Sequence, residues 1–426
     1  MSESRQFALE VVHRLRSAGF IALWAGGCVR DLLMEIEPHD YDVATSATPQ
    51  QVRELFGFRR TLMVGAAFGV VIVRGSSKIH EQVEVATFRT DATYTDGRRP
   101  DSVTYSTPEK DAERRDFTIN GMFYDPIASE FIDFVGGRED LRNGIIRAIG
   151  DPHARLAEDK LRMLRAIRFA ARFAFEIESQ TAAAVRMHAA DVALVSGERI
   201  AVEFRKTLET HRAAWAVRRL QETGLLNFIA PEVHANWRTV GDSVYELLQH
   251  SHGGGWIARA AAMYWPVLDS RDREPLSNAK ACVASLKHRL KLANEETDAL
   301  LFGLESQDIL ARSSQLAWSR VQPLLIAPHI HVALGLLAAR GAGSPELALE
   351  AVRLNEFLLL PNDELNPPPL LDGRILKQAG LLAGPRFRAI LQKARDLQLD
   401  GQLTDRDSAL DWLLHGGANL NEENTR

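Results

Sequence analysis

Apolar positions recur at helical spacing from Phe7 to Leu15, and the apolar run from Phe20 to Trp24 predicts a strand. A second extended segment is predicted over Asp40 to Ala44 and a helix over Pro49 to Phe56. Two strands rich in Val and Ile follow, over Phe68 to Arg74 and Gln82 to Phe88. After Asp151-Pro152 the pattern changes. From Glu158 onward a 3.6-residue period dominates and strand alternation almost disappears, so the rest of the chain is predicted helical. Breaks near Pro231, His250 to Gly255, Ala342 to Pro345 and Asn366 to Pro369 divide it further. The expected architecture is α+β: a head with a small mixed sheet (1–150), then a helical neck (151–230), body (231–345) and tail (346–426).

Candidate chemistry is concentrated early. An apolar run reaches Gly26-Gly27 and then a short helical pattern through Arg30-Asp31-Leu32-Leu33. Glycines let a backbone approach an anion, and a helix N-terminus adds oriented N–H groups. Nine residues beyond Asp31 stands Asp40-Tyr41-Asp42. Alternate residues of a strand share a face, so this pair aims two carboxylates at one spot. Hard anions so placed invite Mg2+, which takes one or two protein carboxylates and leaves its other positions to water and phosphates. Together the two halves read as a metal-dependent nucleotidyl-transfer site.

Composition narrows the partners. A net charge of −5 and a pI near 6.3 argue against a protein that coats nucleic acid non-specifically, so any RNA contact must be local. The two cysteines, Cys28 and Cys282, form no C-x-x-C pair, which fits a reducing, cytoplasmic setting without structural zinc. The N-terminus opens as a charged amphipathic helix, not a signal peptide. The longest uncharged stretch, Val321 to Ala339, carries Pro323, Pro328, His329 and His331 and reads as a buried helix pair, not a membrane span. His250-Ser251-His252, before three glycines, reads as a solvated loop.

Glu158 to Phe173 is predicted as one helix. At about 100° per residue, Arg162, Arg165, Arg168 and Arg172 share a wedge, and apolar residues cover most of the remainder. Like charges so gathered repel unless an anion lies among them, so this face is expected to bind one. Asp159 and Arg162, at i and i+3, are expected side by side, and Arg199 and Glu203, at i and i+4, are expected to form a structural ion pair.

Gly26-Gly27-Cys28-Val29-Arg30-Asp31 followed by Asp40-x-Asp42 resembles the signature of the class II tRNA nucleotidyltransferase and bacterial poly(A) polymerase family, within the polymerase β-like nucleotidyltransferase fold. The resemblance extends from about residue 20 to 210 through several ordered motifs. It implies that Asp40 and Asp42 hold Mg2+ and that Gly26, Gly27 and Arg30 meet the nucleotide. Glu84, a single acid in an apolar strand, matches the family's third carboxylate. Glu113 to Met122 matches the second motif. There Arg115 would contact the triphosphate, as would Arg165 and Arg168 later in the chain, while Asp116 and Asn120 would fix the sugar. Gly121 stands where most relatives carry Ala or Ser, which reads as a packing change. Asp91 to Val103 matches a flexible loop of full length, linked to the change from C to A addition.

Glu158-Asp159-x-x-Arg162 resembles the family's protein template. A carboxylate accepts from the exocyclic amine of C or A, and a guanidinium donates to the ring nitrogen. G and U present the opposite polarity, and a site built on hydrogen bonds rejects such analogues strongly. The implied activity is addition of C, C and A to the tRNA 3′ end from CTP and ATP, without a nucleic-acid template, by a monomer or homodimer. Neighbouring readings are a poly(A) polymerase, an A-adding-only enzyme, or a catalytically silent RNA-binding protein on the same scaffold. The basic C-terminal extension usual in poly(A) polymerases is not seen at Asn419 to Arg426, and a silent protein would be expected to lose the carboxylates.

Overall fold

The computed structural model describes residues 2–63, 69–75, 82–91, 103–269, 275–382 and 384–416. The chain forms two compact units, residues 1–234 with 289–291, and 235–288 with 292–426.

The first unit opens with helix α1 (Glu3–Ser17), capped by the Ser2 hydroxyl, which accepts from the Arg5 N–H; Phe7, Val11, Val12 and Leu15 are buried on one face. Then follow β1 (Ala22–Ala25), α2 (Gly27–Leu33), β2 (Asp42–Thr45), α3 (Pro49–Phe56), β3 (Thr61–Leu62), β4 (Val70–Arg74) and β5 (Gln82–Thr87). The pair β6 (Arg89–Asp91) and β7 (Val103–Tyr105) forms a separate ribbon, and β8 (Phe123–Asp125) and β9 (Glu130–Ile132) return to the main sheet. That sheet has seven strands in the order β3-β4-β5-β2-β1-β8-β9. It is mixed, because β2 and β5 run parallel while its other described pairs are antiparallel. A core of Trp24, Val29, Tyr41, Val43, Val52, Val71 and Val85 joins α1 and α3 to the sheet.

Prediction and structure agree at α3, where Pro49 occupies the first turn and Thr48 and Gln51 form a reciprocal capping box. They differ at two places that matter for the site. The second strand starts at Asp42, so Asp40 and Tyr41 precede it; the order exposed Asp40, buried Tyr41, exposed Asp42 is nevertheless kept. The helix expected from Glu158 is two helices, α6 (Pro152–Glu158) and α7 (Arg162–Phe173), after α4 (Pro108–Glu113) and α5 (Gly137–Asn143). Asp159 sits in the break with extended backbone, and its carboxylate accepts from the Leu161 N–H. Aspartate competes for backbone donors in this way, which ends one helix and starts another. The unit continues with α8 (Ser179–His188) and α9 (Gly197–Leu208).

The second unit is helical among its described residues. One apolar cluster centres on Leu310, Val321, Leu325, Leu334, Leu337 and Leu354, and another, later in the chain, on Leu371, Leu376, Ile390, Leu403 and Leu413. The uncharged stretch becomes two helices, Trp318–Leu325 and Ile330–Gly341, bent by 111°. Most of the second is buried, as the prediction required. No single helix among the described residues is long and apolar enough to cross a membrane.

Candidate active site

β1 delivers the chain to Gly26, whose φ of 74° and ψ of −126° only glycine adopts readily. A Cβ there would also lie 2.9 Å from Arg115 Nη1. Gly26 therefore serves both a turn and a close approach. Cys28 behind it is buried, donates to the Ala25 carbonyl and has its thiol pushed up to about 12 by burial, so it packs and does not react.

On the neighbouring strands the parallel register pairs Val43 with Val85. One step earlier, Asp42 on β2 comes level with Glu84 on β5, and both side chains are exposed. Asp42 keeps an edge in solvent, yet the surrounding protein pushes its carboxyl up to about 6. Burial is the first cause and Glu84 the second; Arg115 pulls the other way, and Asp40 adds a further upward push. The three predicted carboxylates thus share one electrostatic neighbourhood. Among the described residues no group of three His, Cys, Asp or Glu side chains closes to metal-holding geometry.

The second motif lies opposite. Arg115 Nη2 donates to Asp111 at 2.9 Å and Arg115 Nη1 to the Asn120 carbonyl at 3.3 Å. Asp116 is a hub. Its Oδ1 accepts from the Phe117 N–H (2.8 Å) and from Asn120 Nδ2 (3.1 Å), and its Oδ2 accepts from Arg165 Nε (2.8 Å) and forms an ion pair with Arg165 Nη2 (2.6 Å). Burial alone would raise the Asp116 carboxyl, but the Arg165 guanidinium and the Asn120 amide reverse that and hold it at about 2. Next to it, Gly121 has no room for a side chain: a Cβ would meet Val135 Cγ2 at 2.7 Å and Ile149 Cδ1 at 3.0 Å.

The arginine wedge of α7 is real, but the protein supplies anions for it. Arg168 Nε donates to Glu203 at 2.5 Å, Arg165 bonds Asp116, and Arg162 Nη1 donates to Glu158 at 2.7 Å and to the Arg155 carbonyl at 2.9 Å. Arg162 Nη2 reaches the Arg114 carbonyl at 3.1 Å. Neither expected pairing forms. Asp159 bonds Arg199 Nη2 at 2.8 and 3.0 Å instead of Arg162, and Glu203 takes Arg168 instead of Arg199. Helix spacing cannot pair Asp159 with Arg162 once the backbone between them breaks.

These groups enclose one cleft of about 530 Å3. Gly26, Gly27, Arg30, Asp42, Arg115, Asp116 and Asn120 line the head side, while Asp159, Arg162, Arg165 and Arg168 line the side of α7. Asp40 and Glu84 stand outside its lining. Arg114, Phe169 and Arg199 also line it and were not singled out as nucleotide contacts. Sequence spacing offers Arg199 only Glu203 as a partner, and the tertiary structure turns it to Asp159. Residues 92–102, most of the expected flexible loop, lie outside the described residues.

Compared with known proteins, the chain is 34% identical to the CCA-adding enzyme of Geobacillus sp. (strain WCH70), over 97% of this chain and 98% of that one. It belongs to the CCA-adding enzyme family. The enzyme of Geobacillus thermodenitrificans is 31% identical over 96% of each chain. Residues 22–147 match the family described as the poly A polymerase head domain, and residues 174–236 the one described as a probable RNA and SrmB-binding site of polymerase A. In three dimensions the crystal structure of the Bacillus stearothermophilus CCA-adding enzyme in complex with CTP aligns over 97% of this chain and 98% of its own, with a TM-score of 0.76 and 28% identity. The Thermotoga maritima CCA-adding enzyme complexed with tRNA aligns over 96% and 94%, with a TM-score of 0.64; at 21% identity it speaks to the fold.

Proposed function

We propose that this chain is a nucleotidyltransferase that adds C, C and A to the tRNA 3′ end from CTP and ATP. The observation that carries this reading is a cleft lined by Asp42 at the start of β2 on one side and by Asp159 and the arginines of α7 on the other, in a chain that matches a CCA-adding enzyme over 97% of its length. The 3′-hydroxyl loses its proton to solvent as its oxygen attacks the α-phosphorus of the nucleotide, forming the new P–O bond. The bond to the bridging oxygen breaks, and its electron pair leaves with pyrophosphate.

Asp42 and Asp40, with Glu84 beside them, suit a divalent cation: an Asp42 carboxyl raised by burial and then by neighbouring negative charge is one that a cation would return to its ionised form. Bound there, Mg2+ would lower the pKa of the attacking hydroxyl and neutralise charge on the phosphates. Arg115, Arg165 and Arg168 hold the triphosphate beside Gly26 and Gly27. Asp159 and Arg162 read the base, and a matching base must draw them from Arg199 and Glu158. Asp116 and Asn120 meet the sugar. Residues 1–150 serve transfer, 151–230 base reading, and 231–345 with 346–426 the body and tail that grip tRNA.

The test is incorporation of label from CTP and ATP, separately and together, into tRNA ending at the discriminator base, with Mg2+ present. Two C and one A are expected. Label from ATP alone would give the A-adding-only reading, a long A tract the poly(A) reading, and no incorporation would end the proposal.

A further inference from the structure

Arg30 lines the cleft, yet its guanidinium is buried and engaged with protein. Its Nε and Nη2 donate to Asp31 Oδ1 at 2.8 and 2.6 Å, and its Nη1 donates to Asn120 Oδ1 at 2.6 Å. The ring of Phe173 lies 4.5 Å from its central carbon and that of Phe169 5.6 Å, so the group is held between aromatic rings and a carboxylate. Three of its five N–H groups are used in these bonds.

A guanidinium has donors only. Of the two ends of the Asn120 amide, only the carbonyl can therefore face Arg30, and the amide nitrogen must turn to Asp116. Asp116 already receives three hydrogen bonds, from Phe117, Asn120 and Arg165 Nε, and pairs with Arg165 Nη2 at 2.6 Å. The remaining N–H of Asn120, a residue that lines the cleft, has no partner among these groups. We infer that Arg30 is a positioning residue for ribose recognition, which locks the Asn120 amide so that its free N–H meets a sugar hydroxyl of the incoming nucleotide. The inference rests on the proposed transfer reaction and adds the residue that sets its sugar choice. A deoxynucleotide leaves that N–H unmatched, and a buried unpaired donor is penalised.

The test compares ATP with dATP as substrates for the full-length enzyme on tRNA ending in CC, as the ratio of their kcat/KM values. Arg30→Lys keeps the charge but cannot bond Asp31 and Asn120 with one planar fork. It is expected to lower the ATP/dATP ratio about tenfold while the preference for A over G stays unchanged. Asn120→Ala should lower the ratio comparably, and adding Arg30→Lys to it should lower it no further. If Arg30→Lys does not fold by thermal melting, Asp31→Asn, which loosens the same guanidinium, is expected to lower the ratio by a smaller factor. Equal losses for ATP and dATP in the folded variant would make Arg30 merely structural and overturn the inference. A wild-type enzyme that adds neither nucleotide would overturn the transfer reaction instead.

Discussion

Asp42 and Asp116 line the same cleft, but their surroundings drive them in opposite directions. Asp42, at the start of β2, is pushed up to about 6 by burial and then by Glu84 and Asp40, whereas Asp116 is gripped by Arg165 and Asn120 and held at about 2. For Asp42 the pull of Arg115 is outweighed by burial and the neighbouring carboxylates, whereas for Asp116 the Arg165 guanidinium outweighs burial. The first is where a cation and chemistry belong. The second braces Arg165 beside the proposed sugar contact.

The largest effect expected from this contrast is on turnover. Asp42→Ala should cut nucleotide addition by at least about a thousandfold, on the scale of a lost metal-assisted step, with its melting temperature unchanged or raised in metal-free buffer. Chelation of Mg2+ should have the same effect on wild type. Arg162→Ala should next relax the choice of C and A over G and U before it abolishes turnover, read as incorporation ratios; retained selectivity would remove the template role.

Asp116→Ala acts on stability. It leaves Arg165 without its nearest carboxylate and should lower unfolding free energy by about 3 kcal/mol, measured in urea. Since Asp116 titrates lower in the folded protein than its ordinary 3.8, its stabilisation is complete above about pH 4 and disappears as pH falls towards 2. That part amounts to about 2 kcal/mol, so the difference between wild type and Asp116→Asn should shrink across this window. The smallest effect is at Gly121→Ala, where Val135 and Ile149 must give way, at a cost of about 1 kcal/mol, seen as a modest drop in melting temperature.

The legible part of this protein was its local grammar. Gly26-Gly27, the Asp40-x-Asp42 alternation, the Val-rich strand around Glu84 and the capped helix at Pro49 each declare themselves within a few residues. Most of the residues in those motifs line one cleft. Charge partnerships were not legible, because they are settled between elements: Asp159 turns to Arg199 and Arg168 to Glu203 across a gap in sequence that spacing rules do not cover. The break after Glu158 was hidden for a related reason. Helical periodicity continues through it, and only the side-chain capping by Asp159 marks the interruption.

The most direct test of the acidic edge facing the arginine face separates binding from chemistry at Asp42. CTP binding and single-turnover C addition are measured on wild type and Asp42→Ala with and without Mg2+. The expected result is that the variant still binds CTP through the arginine side yet adds no C at any Mg2+ concentration. Mg2+-dependent addition at a wild-type rate by the variant would contradict it.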